Sequence, residues 1–384
     1  MKLLITTDDF LPRWDGISRF LNELIPRIKG CEITIIAPDF GIVRAKDYEL
    51  IQIPLQKRSI SDYTPAKYKK KLVDKYVQEA DVIFNQALGP IGLAAILSAK
   101  KRNKPLLTYV HSIEWELTPR IIKNHFLRRI AYYFSRSYAR RLYNKCTALI
   151  VPSEQIADYL TRNKIFAQKK IAYLGVDTKK FVQQTPSNKR QARKQLDLPR
   201  DAYIIGYHGR LAPEKNLQTL IRAFIRTTIP DKKLLIVGDG LPEIKEKLRR
   251  EGVILAGKQD DVVPYLQAMD CYVLPSYTET TSLSVLEAMS CGLPVISSKV
   301  GYVNFYIKNK ENGFFFNMFD AHDLSKKLRQ VYALSHEERL KVTLNARKTV
   351  EEQFRWDDTA KKILGYLNEC LQEQETNKQQ ISDK

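Results

Sequence analysis

Cysteine is sparse in this chain, and nothing pairs what there is. Cys31, Cys146, Cys271, Cys291 and Cys370 form no C-x-x-C unit, which argues against a disulfide framework and a zinc site and favours a reducing cytoplasm. Long apolar runs are missing too. The start, MKLLITTDDFLP, meets Asp8 and Asp9 before a secretory core could form. The nearest approach to a membrane span, Val82 to Ala99, is uncharged but contains Asn85, Gln86, Gly89, Pro90 and Gly92. It reads as strand, turn and buried helix, so no transmembrane segment is expected.

Acid is absent from one long stretch. Residues 120–145, RIIKNHFLRRIAYYFSRSYARRLYNK, hold eight Lys/Arg and no Asp or Glu. The whole chain carries a net +20, with 32 basic against 17 acidic residues through Lys180 and 31 against 26 after it. The first half therefore faces something acidic. Leu127, Ile130, Phe134, Tyr138 and Leu142 recur at helical spacing, with Arg129, Arg136 and Arg140 largely off that face. Such a helix either packs on the core with its basic side in water or lies on an anionic membrane, where aromatic and basic residues share the headgroup layer. No nucleic-acid motif accompanies it, so no nucleic-acid partner is expected.

What is present is an alternation of short β-branched runs with longer amphipathic ones, the pattern of α/β parallel sheets with crossover helices. At 384 residues and 44% hydrophobic content, two domains of about 150–200 residues each are expected. Strands are expected at Lys2–Thr6, Glu32–Ala37, Leu50–Ile53, Val82–Asn85, Leu106–His111, Ala148–Val151 and Lys170–Tyr173. The polar QQTPSNKRQ then breaks the rhythm, and YIIGYHGR, KLLIVGDG, VILAG, CYVLPS and LPVISS start a second series. The expected division is a first domain over 1–182, a linker over 183–191, a second domain over 192–350, a final helix over 351–373 and a disordered tail over 374–384.

Open parallel sheets gather ligands at the carboxyl ends of their strands. Asp15-Gly16, His111, Arg210, Lys215, Gly238 to Gly240 and the segment PSYTETTSLSVLEAMSCGLPVI all fall at such ends, and they are expected to converge on a cleft between the two sheets. Between Cys271 and Ser298 the only charged side chains are Glu279 and Glu287. A carboxylate can accept both hydroxyl hydrogens of a sugar diol, while Arg210 and Lys215 can stabilise a diphosphate as it departs.

HGRLAPEKN, IVGDG, LAGKQDDVVPYLQAMDCYVLPSYTETTSLSVLEAMSCGLPVI and YLGVDTKKF resemble retaining glycosyltransferases of family 4, and the likeness runs from DDFLPRWDGISRF to FRWDDTAKKIL. The resemblance implies the GT-B fold, with an acceptor-binding first domain and a nucleotide-sugar-binding second one. It implies that Glu287 binds the nucleotide ribose, Glu279 the donor sugar, and Arg210 and Lys215 the diphosphate. Gly16 would let the backbone approach the donor, His111 would lie beside the sugar, and Thr280 and Leu283 would complete the donor-binding set. The catalytic set is then His111, Arg210, Lys215 and Glu279. No metal or bound cofactor is implied, because Lys and Arg replace the ion and Asp-x-Asp is absent; a UDP- or GDP-hexose is the co-substrate.

Departures from the family pattern lie at Asp15 and Thr280, where glycine is frequent, and at Tyr302 and Phe305, where Gly and Glu are usual. By the resemblance, they would flank the sugar and acceptor rather than the diphosphate. A lipid acceptor, handled by a peripheral enzyme at the inner face of the cell membrane, fits the basic first half, with a soluble or polysaccharide acceptor as the alternative. A same-fold epimerase or phosphorylase and a non-catalytic membrane-surface binder are the competing classes.

Overall fold

The apolar runs form strands because a parallel sheet buries both faces, which favours continuous β-branched and aromatic residues over alternation. A computed structural model describes residues 1–13, 15–43, 47–59, 63–122, 124–279 and 281–382. By its contacts the chain forms two units, Met1–Leu174 with Trp356–Lys384, and Gly175–Arg355.

The first unit contains a seven-stranded parallel sheet: β1 (Lys2–Thr6), β2 (Glu32–Pro38), β3 (Glu49–Ile53), β4 (Val82–Asn85), β5 (Leu106–Tyr109), β6 (Ala148–Val151) and β7 (Gln168–Ile171). Their order is β3-β2-β1-β4-β5-β6-β7. The strand direction of winding reverses between β1 and β4, the place where such sheets open a crevice at their carboxyl ends. The Val82–Ala99 segment resolves into β4, a turn and the helix Pro90–Arg102, with Pro90 in its first turn and Asn103 in left-handed conformation at its end. Among the described residues no helix is long and apolar enough to cross a membrane.

The second unit contains β8 (Tyr203–His208), β9 (Lys232–Val237), β10 (Val253–Gly257), β11 (Cys271–Leu274), β12 (Val295–Ser298) and β13 (Phe314–Phe316), ordered β10-β9-β8-β11-β12-β13. Here the reversal falls between β8 and β11. Each unit has its own core: Leu4, Ile83, Leu106, Leu149 and Trp115 belong to the first, and Ile205, Leu220, Ile236, Val273 and Phe314 to the second.

Three expectations are corrected. The stretch expected as a linker is mostly the helix Pro186–Gln195, started by a capping box in which the Thr185 hydroxyl accepts from Asn188 N and the Asn188 side chain accepts from Thr185 N. Its polarity reflects an exposed surface, since only Ala192 and Arg193 are buried. The final helix continues without a break from Trp356 to Ser382, so the expected tail is helical through most of its length. Finally, β5 ends at Tyr109, which leaves His111 two residues beyond the strand.

The helix His125–Tyr143 divides along its length. Asn124 caps its start by accepting from Phe126 N and Leu127 N. Ala139, Leu142 and Tyr143 are buried, whereas Phe126 and Phe134 are each 73% exposed, with Leu127, Ile130 and Tyr133 about half exposed. The expected apolar face is thus only half covered by the fold.

Candidate active site

In the second unit, the loops after β8 and β11 are brought side by side by the pairing of those strands, Cys271 with Ile205 and Tyr272 with Gly206. Tyr277 N then donates to Glu214 O at 2.8 Å, and Asn216 Nδ2 donates to Pro275 O at 3.0 Å. Lys215 Nζ donates to Glu279 Oε1 at 2.7 Å, and Ser276 Oγ donates to the same oxygen at 2.8 Å. Arg210 donates to Glu214, and its own carbonyl accepts from Tyr207 Oη at 2.9 Å.

Close glycines hold this loop in place. Gly238 has φ +138, and a Cβ there would stand 2.0 Å from Gly209 O; one at Gly240 would stand 2.1 Å from Leu211 O. No side chain fits either position without moving the backbone beside Arg210. The IVGDG motif therefore serves the neighbouring loop as well as its own turn.

Leu283 opens the helix Leu283–Ser290 and is half-buried, with Ser282 as its N-cap. Thr280 lies outside the described residues. Glu287 is 4% exposed, and its Oε2 stands 2.9 Å from His208 Nε2. His208 was not among the residues selected from sequence, and nothing local marks it. Arg210, Lys215, Glu279 and Glu287 thus gather at the carboxyl ends of β8 and β11, two of them paired directly. Tyr302 packs against Tyr306 and Phe354, which accounts for an aromatic there, while Phe305 stacks on Tyr302 and stays half exposed.

In the first unit, Gly16 begins the helix Gly16–Leu24 and is exposed, and a Cβ on it would meet nothing within 4 Å. Asp15, which stands where the first glycine of a Gly-Gly pair is common, is the N-cap of this helix, its Oδ1 accepting from Ser18 N at 2.9 Å. The His111 ring contacts Phe20 and Tyr109, and its Nε2 is 2.9 Å from Gln86 Oε1. Burial lowers its pKa to about 3. The neutral ring thus donates from Nε2 to the Gln86 carbonyl.

Asp8 and Asp9, unassigned from sequence, also lie here. Asp8 accepts from Ile91 N at 2.9 Å and Gly92 N at 3.1 Å, fastening β1 to the start of the helix Pro90–Arg102. Burial still raises its pKa to about 6. Burial and then the charge of Asp15 raise Asp9 well above the usual carboxylate range, with Arg13 opposing them. Among the described residues no group of three or more His, Cys, Asp and Glu side chains is placed to hold a metal ion.

Two Rossmann-like parallel sheets, one carrying paired cations and carboxylates at the ends of its central strands, define the two-sheet glycosyltransferase class. Residues 188–349 match the family model described as glycosyl transferases group 1, and residues 14–180 match that of glycosyltransferase family 4. The chain belongs to this family, and it is a glycosyltransferase of GT-B fold. It is 25% identical to the alpha-monoglucosyldiacylglycerol synthase of Acholeplasma laidlawii over 351 residues, 83% of this chain and 85% of that one. It is 28% identical over 330 residues, 78% of this chain and 81% of the other, to the GDP-mannose-dependent monoacylated alpha-(1-6)-phosphatidylinositol monomannoside mannosyltransferase of Corynebacterium glutamicum. Among solved structures, Anabaena HepE in complex with UDP-glucose superposes with a TM-score of 0.77 at 20% identity, covering 96% of this chain and all of that one.

Proposed function

We propose that this enzyme transfers a hexose from a UDP- or GDP-sugar to a hydroxyl of a membrane lipid, with retention at the anomeric carbon and without a metal ion. The observation that carries the reading is the gathering of Arg210, Lys215, Glu279 and Glu287 at the ends of β8 and β11. Glu287 accepts the ribose hydroxyls and Glu279 those of the donor sugar. Arg210 and Lys215 bear on the diphosphate, whose charge grows as its bond to the sugar breaks; fixed cations favour that change most when they are already in place. The acceptor hydroxyl attacks from the side of the leaving group, and a phosphate oxygen takes its proton. Gly16 and His111 face the donor, His111 as a neutral hydrogen-bonding group, and Thr280 and Leu283 complete the binding set.

A lipid acceptor is supported by the names of the two relatives and by the helix His125–Tyr143. Its exposed Phe126, Leu127, Ile130, Tyr133 and Phe134 stand among Arg128, Arg129, Arg136, Arg140 and Arg141, the combination that settles in an anionic headgroup layer. The enzyme then works peripherally on the cytoplasmic face of the cell membrane, where its free cysteines suit a reducing compartment.

The test is nucleoside diphosphate release from a panel of UDP- and GDP-sugars, with and without anionic lipid vesicles, for the native enzyme, Arg210→Ala and Glu287→Ala. Release from one donor that requires lipid and disappears in both variants supports transfer to lipid. Release that ignores lipid favours a soluble or polysaccharide acceptor. Binding without release from any donor overturns the transferase assignment in favour of a non-catalytic surface binder.

A further inference from the structure

We propose that His208 is a positioning residue for nucleotide recognition, holding the Glu287 carboxylate in the orientation that reads the ribose diol. The inference rests on the proposed role of Glu287. His208 Nε2 lies 2.9 Å from Glu287 Oε2, and the side chains are only 2% and 5% exposed. A carboxylate so buried is costly unless it is hydrogen-bonded. A bare ring lone pair at that distance would repel it, so His208 carries a proton on Nε2; the N–H is not aligned on Oε2 as the ring stands, and a small turn of the ring aims it there.

The pair is anchored at both ends. His208 closes β8, its carbonyl accepts from Tyr272 Oη at 3.1 Å, and the two rings meet edge to face at 5.4 Å. Glu287 sits inside the helix Leu283–Ser290, which follows β11, the strand that bears Tyr272. A sheet-borne donor fixed on one carboxylate oxygen sets the plane of the group, as supporting hydrogen bonds orient ligating side chains in other sites. Two adjacent hydroxyls can be met at once only by a carboxylate held in one plane. His208 thus converts a buried acid into a ribose reader without touching the nucleotide.

The experiment compares UDP and GDP with their 2′-deoxy and 3′-deoxy forms by calorimetry on the full chain. Four variants accompany the native protein: Glu287→Gln, His208→Gln, His208→Met and His208→Leu, with thermal unfolding followed for each. The native protein should favour the ribonucleotide by about tenfold or more, as expected for hydrogen bonds to a charged group. Glu287→Gln should erase that preference. His208→Met and His208→Leu, which keep apolar volume but offer no donor, should erase it too, and should raise the donor KM while leaving kcat near native. His208→Gln, whose amide can reach the place of Nε2, should retain most of it.

A ribose preference retained in a folded Met or Leu variant overturns the inference. Its loss in His208→Gln as fully as in those two also overturns it, because the site would then need the imidazole's shape rather than its donor. Retention in Glu287→Gln overturns instead the underlying assignment of Glu287, as does binding of neither diphosphate.

Discussion

Lys215 Nζ and Glu279 Oε1 are hydrogen-bonded at 2.7 Å, joining the loops that follow β8 and β11. The proposed diphosphate-binding cation and sugar-binding carboxylate are therefore a pair, with Ser276 holding the same oxygen. Their substitution should separate their effects. Lys215→Ala should weaken nucleoside diphosphate binding and lower turnover by about 10²-fold, the scale of one lost transition-state donor. Glu279→Gln removes an anion from beside Lys215, so affinity for the free diphosphate should hold or rise while turnover of the nucleotide sugar falls. Calorimetry with the diphosphate alongside initial rates checks both; equal loss of diphosphate affinity in both variants contradicts the division of roles.

Gly16 supplies a test free of steric ambiguity within the protein. A methyl group there meets no atom of the chain, and at the first position of a helix alanine is at least as favourable as glycine. Gly16→Ala should leave the unfolding midpoint unchanged or slightly higher. If the backbone at Gly16 faces the donor, the same variant should raise the donor KM or lower turnover by tenfold or more. Native kinetics with native stability would remove Gly16 from the site.

The reach and the limits of the sequence are visible in particular residues. Strands such as β1 and β8 announce themselves because burial on both faces selects long apolar runs, and Arg210, Lys215, Glu279 and Glu287 stand in motifs that follow such runs. His208 escapes notice because its partner lies on another strand-helix unit, and pairing across a sheet leaves no local mark. The helix Pro186–Gln195 was hidden by its polarity, although Thr185 before Pro186 is a helix-start signal that composition outweighed. The helix His125–Tyr143 shows the opposite fault: helical spacing identifies an apolar face but not what covers it, and Leu127, Ile130 and Phe134 are left exposed.

His111 gives a pH dependence with a definite sign. Its pKa falls from 6.5 to about 3 through burial, so between those values the unfolded chain binds a proton that the folded one does not. Stability should therefore decline as pH falls below about 6.5. The non-titrating His111→Gln, which can still donate to Gln86, should lose less between pH 7 and pH 5, by on the order of 2 kcal/mol. Urea unfolding at the two pH values checks this. Equal losses in native and variant would show that His111 titrates normally.

The exposed half of the helix His125–Tyr143 makes the membrane reading testable apart from catalysis. Phe126 and Phe134 are each 73% exposed, so replacing both with serine removes little packing and should leave the unfolding free energy within about 0.5 kcal/mol of native. On vesicles containing phosphatidylglycerol the double variant should bind at least tenfold more weakly, since each aromatic loses an apolar insertion worth about 1 kcal/mol or more. Arg129→Ala and Arg141→Ala act through charge: each should cost about 1 kcal/mol of binding, and the loss should shrink as salt screens the surface. Release assays with a water-soluble acceptor analogue should then find the serine variant as active as the native enzyme. If vesicle binding survives all of these changes, another surface carries the membrane contact. If activity on the soluble analogue also falls, the helix bears on acceptor chemistry itself.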